Sequence, residues 1–146
     1  MMVETPAAAV MADRFAQVVD FFSIGTNDLT QYLFAADRNN AKVAALNSYF
    51  QPALLQTVDH ICQCAHRHGI EVDICGQAGE MDDLIPLWVG MGVDNLSVSI
   101  PSIPRVRRTI SRCDVMQCRR LVDRALQCSS AQEVMDLVQK EVRQWS

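Results

Sequence analysis

A short run of β-favouring residues, Asp20 to Ile24, stops abruptly at Gly25-Thr26-Asn27-Asp28-Leu29-Thr30-Gln31-Tyr32, and this change of character limits what the chain can fold into more than any other feature. Phe21, Phe22 and Ile24 suit a pleated, buried strand, and Gly25 lets the backbone turn close to a ligand with no Cβ in the way. Thr26, Asn27 and Asp28 then place a hydroxyl, an amide and a carboxylate at the end of that strand. These residues also have a purely structural reading. Asn-Asp after Gly is common turn chemistry, and Asp28 can cap a following helix.

The same pattern recurs along the chain. Met1-Met2-Val3-Glu4 is an apolar run ending in a carboxylate, Glu71 to Cys75 is followed by Gly76-Gln77-Ala78-Gly79, and Asn95 to Ile100 alternates polar and apolar residues. Helical spacing fills the intervals. Thr5 and Pro6 open a helix carried by Ala7 to Val18, and Pro52 opens one that Gly69 closes, with Leu54, Leu55, Val58, Ile61 and Cys62 as its buried stripe. Further helices are predicted from about Asp82 to Gly90 and from Pro104 to about Arg112. Val115 to Gln127 and Ala131 to Trp145 read as two more, separated by the cap-like Ser129-Ser130. The segment from Leu33 to Asn47 has neither period, and Asp37 to Asn40 reads as a loop.

Four strands alternating with four helices predict an α/β fold with a parallel sheet and a helical tail. Such units build either an open doubly wound sheet or half of a (β/α)8 TIM barrel. An open sheet concentrates its ligand at one switch point, whereas a barrel collects side chains from the C-terminal ends of several strands. Glu4, Asn27, Asp28 and Cys75 are spread over three successive strand ends, which favours the half-barrel.

Composition removes several classes of function. At 146 residues the chain suits one domain with a real core. No apolar run is long enough to cross a membrane, and no basic n-region precedes an apolar export signal. A net charge of -4 argues against a nucleic-acid partner. Arg105, Arg107, Arg108 and Arg112 read as the solvated side of one helix. Six cysteines lie inside apolar or helical patterns rather than between short loops, as expected for reduced thiols in a cytoplasmic protein. The run from His60 to His68 pairs His and Cys four apart, but on different helix faces, so a four-ligand metal site is not expected there.

Val3-Glu4-Thr5-Pro6-Ala7-Ala8, Asp20 through Tyr32, Asp37-Arg38, Cys75-Gly76 and Ser102-Ile103-Pro104-Arg105 together closely resemble the phosphoenolpyruvate (PEP)-binding barrel of the PEP-utilising enzymes. Ala36-Asp37-Arg38-Asn39 resembles the branch represented by enzyme I of the bacterial sugar phosphotransferase system, the PEP-protein phosphotransferase, more than pyruvate phosphate dikinase or PEP synthase. The resemblance implies that residues 1–112 are the second half of the barrel and residues 113–146 a helical extension. It implies that Glu4 and Asp28 hold Mg2+, that Asn27 and Arg38 contact the phosphoryl group, and that backbone amides around Thr26 and Asn27 receive the PEP carboxylate. Cys75 would be the general acid that protonates the enolate carbon to release pyruvate. A thiol with an ordinary pKa of about 8.5 is protonated at neutral pH yet can give up its proton.

Each assignment has an ordinary structural counterpart. Cys75 can be a buried strand cysteine, Glu4 a helix-start carboxylate and Arg38 a solvent-exposed loop charge. The pattern also departs from the family at one point, with Gln77 where Glu is usual and Glu80 displaced beyond Gly79. The resemblance further implies partners outside the chain: a phosphohistidine domain of the same parent protein, then a downstream histidine carrier protein. Read this way, the chain is part of something longer. An isolated half-barrel, with apolar strand edges and an open core face, is expected to self-associate as a homodimer. The competing readings are a non-catalytic half-barrel acting in assembly or regulation, and a fragment of a dikinase or PEP synthase.

Overall fold

The computed structural model describes residues 1–143 and consists of a parallel sheet with helices on one of its faces. In chain order the elements are β1 (Met2–Val3), α1 (Pro6–Val10), α2 (Ala12–Phe15), β2 (Phe21–Gly25), α3 (Thr26–Leu33), α4 (Pro52–Arg67), β3 (Glu71–Cys75), α5 (Ile85–Met91), β4 (Asn95–Leu96), α6 (Ile103–Ser111), α7 (Val115–Ala125) and α8 (Ala131–Val142). Short 3-10 turns occupy Ala44–Asn47, Gln77–Glu80 and Ile100–Ser102. The expected α/β class and parallel sheet are therefore present.

The sheet runs β1-β2-β3-β4 in sequence order with every pair parallel. Because side chains alternate across a strand, the register sorts them onto two faces. Phe22, Ile24, Val72 and Ile74 are fully buried beneath the helices. Met2, Ser23, Asp73 and Asn95 are aligned across all four strands on the opposite face, which no element of the described residues covers. That face is largely polar and stitched laterally. Ser23 donates to Asp73 at 3.0 Å, Ser97 donates to Asp73 at 3.0 Å, and Asn95 donates to Glu71 at 3.1 Å. Its apolar members, Met2 and Phe21, are each 48% exposed.

The central helix is α4, which packs on β2 and β3 and against α1, α2 and α3. Pro52 sits in its first turn, and its predicted stripe of Leu54, Leu55, Val58, Ile61 and Cys62 is fully buried. Farther along, α7 lies against α5 and adds Leu121, Val122 and Ala125 to the same core. Trp88 of α5 is wholly buried, and its indole N–H donates to the Ala78 carbonyl at 3.0 Å. Asp114 caps α7 through Gln117 N–H at 2.8 Å, and Ser130 caps α8 through Glu133 N–H at 3.2 Å, with the Glu133 carboxylate returning to Ser129 N–H at 2.8 Å.

Three local expectations change. The helix predicted over Ala7 to Val18 is divided at Met11 into α1 and α2. The strand predicted from Asn95 to Ile100 is a strand only over Asn95–Leu96, and the chain enters a 3-10 turn with Pro101 in its first turn at Ile100–Ser102. Helix α3 begins directly at Thr26, so Asp28 lies within its first turn and is not the cap of a helix that follows it. The predicted end of the last helix at Trp145 lies outside the described residues, and α8 is described over Ala131–Val142. All six cysteines are free thiols, and burial, together with the Asp59 and Asp94 carboxylates, pushes Cys62 up to about 12. Among the described residues, no helix is long and apolar enough to cross a membrane.

Candidate functional site

The C-terminal ends of β1, β2 and β3 lie side by side. Val3 pairs with Ile24 and Gly25 pairs with Cys75, so Glu4, Gly25 and Cys75 form a row across three strands. A Cβ at Gly25 would stand 3.0 Å from both Cβ and Oε2 of Glu4, so the missing side chain leaves room for the half-buried carboxylate.

From Gly25 the chain enters α3 without a side-chain cap. The first N–H groups of a helix have no intrahelical partner, and the helix dipole adds partial positive charge there. The start of α3 therefore leaves its first N–H groups without a side-chain acceptor. Thr26 is buried and its hydroxyl donates to the Cys75 carbonyl at 3.0 Å, fastening α3 to the end of β3. Thr30 adds a bond to the Thr26 carbonyl at 2.7 Å.

Gly76 makes this junction possible. Its φ of 98° and ψ of -175° belong to a region that L side chains essentially never occupy. A Cβ there would also lie 2.9 Å from Asn27 Oδ1 and 2.9 Å from Thr26 Oγ1. The Asn27 oxygen accepts from the Gln77 backbone N–H at 3.2 Å and from the Tyr49 hydroxyl at 2.7 Å. Burial pushes the Tyr49 phenol up, with Arg38 opposing and Asp28 reinforcing the shift. Arg38 and Asp28 are both about half exposed and stand 3.8 Å apart, a weak pairing in water.

Cys75 is partly exposed. Its sulfur lies 3.3 Å from Ser23 Oγ, 3.4 Å from the Ile24 carbonyl and 3.7 Å from Met2 Sδ. Ser23 in turn bonds Asp73, so a hydroxyl separates the thiol from a carboxylate. Glu80 does not reach this thiol network. It accepts from Ser99 N–H and Ser102 Oγ, and those bonds hold its carboxyl below the ordinary carboxylate range.

Residues 1–115 match the family described as PEP-utilising enzyme, PEP-binding domain. The chain belongs to this family. Multiphosphoryl transfer protein 2 of Escherichia coli K12 is 41% identical to it over 138 residues, which are 94% of this chain and 17% of that protein. Phosphoenolpyruvate-protein phosphotransferases of Haloferax volcanii and Listeria monocytogenes are 45% and 44% identical, covering 94% and 96% of this chain and 24% of each of those proteins. The chain thus spans a quarter or less of the length of these curated relatives.

Within this PEP-binding domain the predicted residues fall into three connected groups. Glu4 stands beside Gly25, Thr26 and Asn27 are bound to the Cys75-Gly76-Gln77 exit, and Asp28 pairs with Arg38. Among the described residues, no three His, Cys, Asp or Glu side chains cluster closely enough to hold a metal. Glu4 and Asp28 are oxygen donors of the type that Mg2+ takes, a hard ion commonly held by one or two carboxylates with the remaining positions left to substrate oxygens and water. The histidines of α4 are directed apart: His60 to Cys64 at 3.5 Å, His66 to Asp94 at 3.5 Å and His68 to Asp13 at 3.3 Å.

Sequence reading passed over Tyr49, Ser23 and Asp73. The period of two in β2 and β3 could have placed Ser23 and Asp73 on the face of Cys75. No local signal marks Tyr49, which reaches Asn27 only through the fold of the loop between α3 and α4.

Proposed function

We propose that this chain is the C-terminal PEP-binding part of a phosphoenolpyruvate-protein phosphotransferase of the enzyme I type. The observation that carries the reading is the row Glu4, Gly25 and Cys75 on adjacent parallel strands, with the uncapped start of α3 opening beside it. PEP would place its carboxylate on the Thr26 and Asn27 amides. The Asn27 side-chain N–H2 would donate to the phosphoryl oxygens, and Arg38, released from Asp28, would offset their charge. Glu4 and Asp28 would hold Mg2+, which when bound supplies positive charge to the phosphoryl oxygens.

The phosphoryl group passes to a histidine on a domain beyond this chain. As the P–O bond breaks, its electron pair remains as the enolate of pyruvate. The Cys75 S–H then gives its proton to the terminal carbon, forming the methyl group, and the thiolate regains a proton from solvent before the next cycle. Ser23, 3.3 Å from the sulfur, holds the thiol at the edge of the sheet.

Sequential parallel strand order, with helices over one face only, supports the further reading of residues 1–112 as half of a (β/α)8 barrel with residues 113–146 as its extension. The uncovered face would then line the barrel interior. A cytoplasmic location, a downstream histidine carrier protein and a homodimer complete the proposal. The dimer is motivated by exposed apolar side chains such as Ile100 at 83% and Met116 at 65%. A stable monomer at micromolar concentration in sedimentation would remove that element. Gln77, where the family resemblance implies Glu, favours a second reading as a non-catalytic half-barrel acting in assembly or regulation.

Calorimetric titration with PEP and Mg2+ separates the two. The catalytic reading expects weak binding to the wild type that disappears in Asp28→Ala. An absence of heat for the wild type, or equal binding by the variant, refutes it for this chain.

A further inference from the structure

Asn27 can serve a phosphoryl group only if its amide N–H2, not its oxygen, faces the ligand. An amide side chain can flip, so something must hold the oxygen inward. Two donors do so: the Gln77 backbone N–H at 3.2 Å and the Tyr49 hydroxyl at 2.7 Å. The Tyr49 oxygen is also 3.2 Å from Gln77 Oε1. A phenol has one proton to donate, and here the shorter contact to Asn27 takes it. Two oxygens cannot share that one proton, so the second contact is satisfied only when the Gln77 amide is turned over, its N–H2 taking the place of Oε1 beside the phenol oxygen.

We propose that Tyr49 is a positioning residue for the phosphoryl contact, and that Gln77 is its partner. Gln77 donates to the Tyr49 oxygen, Tyr49 donates to Asn27 Oδ1, and Asn27 is left with both amide protons facing outward. Tyr49 suits the task because burial favours its neutral, donating form at physiological pH. The charged groups acting on it are Arg38 and Asp28, with opposite effects. A carboxylate at position 77 would reverse the chain of donors. Having no proton to give, it would take the phenol proton for itself, leaving Asn27 with only the Gln77 backbone donor and free to flip. The amide at position 77 and the phenol at position 49 therefore act as a pair.

The inference rests on the reading of Asn27 as a phosphoryl contact, so its test has one arm that needs no ligand. In the protein labelled with 15N at asparagine side chains, the Asn27 N–H2 resonances are followed in wild type, Tyr49→Phe, Gln77→Glu and the double variant. Tyr49→Phe preserves the ring and removes the proton. It is expected to shift and broaden the Asn27 pair while leaving the other asparagines in place. Gln77→Glu should move the same pair in the same direction, and the double variant should show no further change.

In the second arm, PEP with Mg2+ should bind each variant about fivefold more weakly than wild type, the equilibrium worth of one neutral hydrogen bond. A structural role alone would lower the melting temperature without moving the Asn27 pair selectively. Unchanged Asn27 resonances in Tyr49→Phe, or full additivity of the two substitutions, overturn the proposal. If wild type binds no PEP while the resonances behave as expected, the lock stands and the functional reading of this chain falls.

Discussion

Replacing Gly76 by Ala tests whether the strand end and the start of α3 form one unit. Two contributions add. The backbone at φ 98° is adopted by L residues only at a cost of about 1–3 kcal/mol. The new Cβ, 2.9 Å from Asn27 Oδ1 and from Thr26 Oγ1, also displaces groups that bond Gln77 N–H and the Cys75 carbonyl. Each such bond is worth about 0.5–1.5 kcal/mol, so with the backbone contribution the variant loses about 2–6 kcal/mol. For a domain of this size that lowers Tm by about 6–18 °C.

Gly69→Ala is the control. Gly69 also has a positive φ, 70°, but nothing lies within 4 Å of a Cβ there. Only the left-handed backbone cost of about 1–2 kcal/mol applies, a Tm loss of about 3–6 °C. Thermal unfolding followed by circular dichroism measures both. Equal losses in the two variants would mean that α3 moves freely relative to β3, and the coupling of Thr26 and Asn27 to the Cys75 strand end would be refuted.

Acid should destabilise the fold through Asp13 and Glu80, both held below their ordinary values, Asp13 by bonds to Arg67 and His68 and Glu80 by Ser99 and Ser102. A lowered folded-state pKa contributes stability that is present above the unfolded value of about 4 and lost as pH falls through the folded one. Tm should accordingly be level from neutral pH to about 5, then fall, with a shallower fall in Glu80→Gln; an unchanged acid limb in that variant rejects the assignment. Trp88→Phe should cost about 1–3 kcal/mol in urea unfolding, because it strands the buried Ala78 carbonyl now bonded at 3.0 Å; a neutral result would show that water replaces the indole. Native protein treated with iodoacetamide at pH 8 should be modified at partly exposed Cys75 and protected at Cys62, whose thiol is fully buried and pushed up to about 12. Peptide mass mapping reads this, and equal labelling would refute the buried placement.

The parts legible in sequence are those controlled by local periodicity. The stripe on α4, the β2 and β3 segments and the cap of α8 follow from neighbours three, four or two positions apart. The start of helix α3 was not legible because Thr-Asn-Asp-Leu-Thr is a weak helix former. Tertiary bonds hold it instead, from Thr26 to β3 and from Tyr49 to Asn27, with Leu29 fully buried beneath. The same cause hid the arrangement of the site. Glu4, Asp28 and Cys75 can be chosen by residue type, but the pairing of Gly25 with Cys75 and the reach of Tyr49 belong to contacts distant in sequence.

The polar stitching of the uncovered sheet face has a thermodynamic consequence. Ser23, Asp73, Ser97, Asn95 and Glu71 already satisfy one another laterally, so a surface closing over them removes little apolar area from water. Apolar burial is what makes the heat-capacity change of association large and negative. Closure over this part of the face should carry a small heat-capacity change and a marked dependence on ionic strength. Contact at the corner formed by Met2 and Phe21 should carry the opposite signature. Calorimetry over a range of temperatures would therefore distinguish which part of the sheet a docking domain meets.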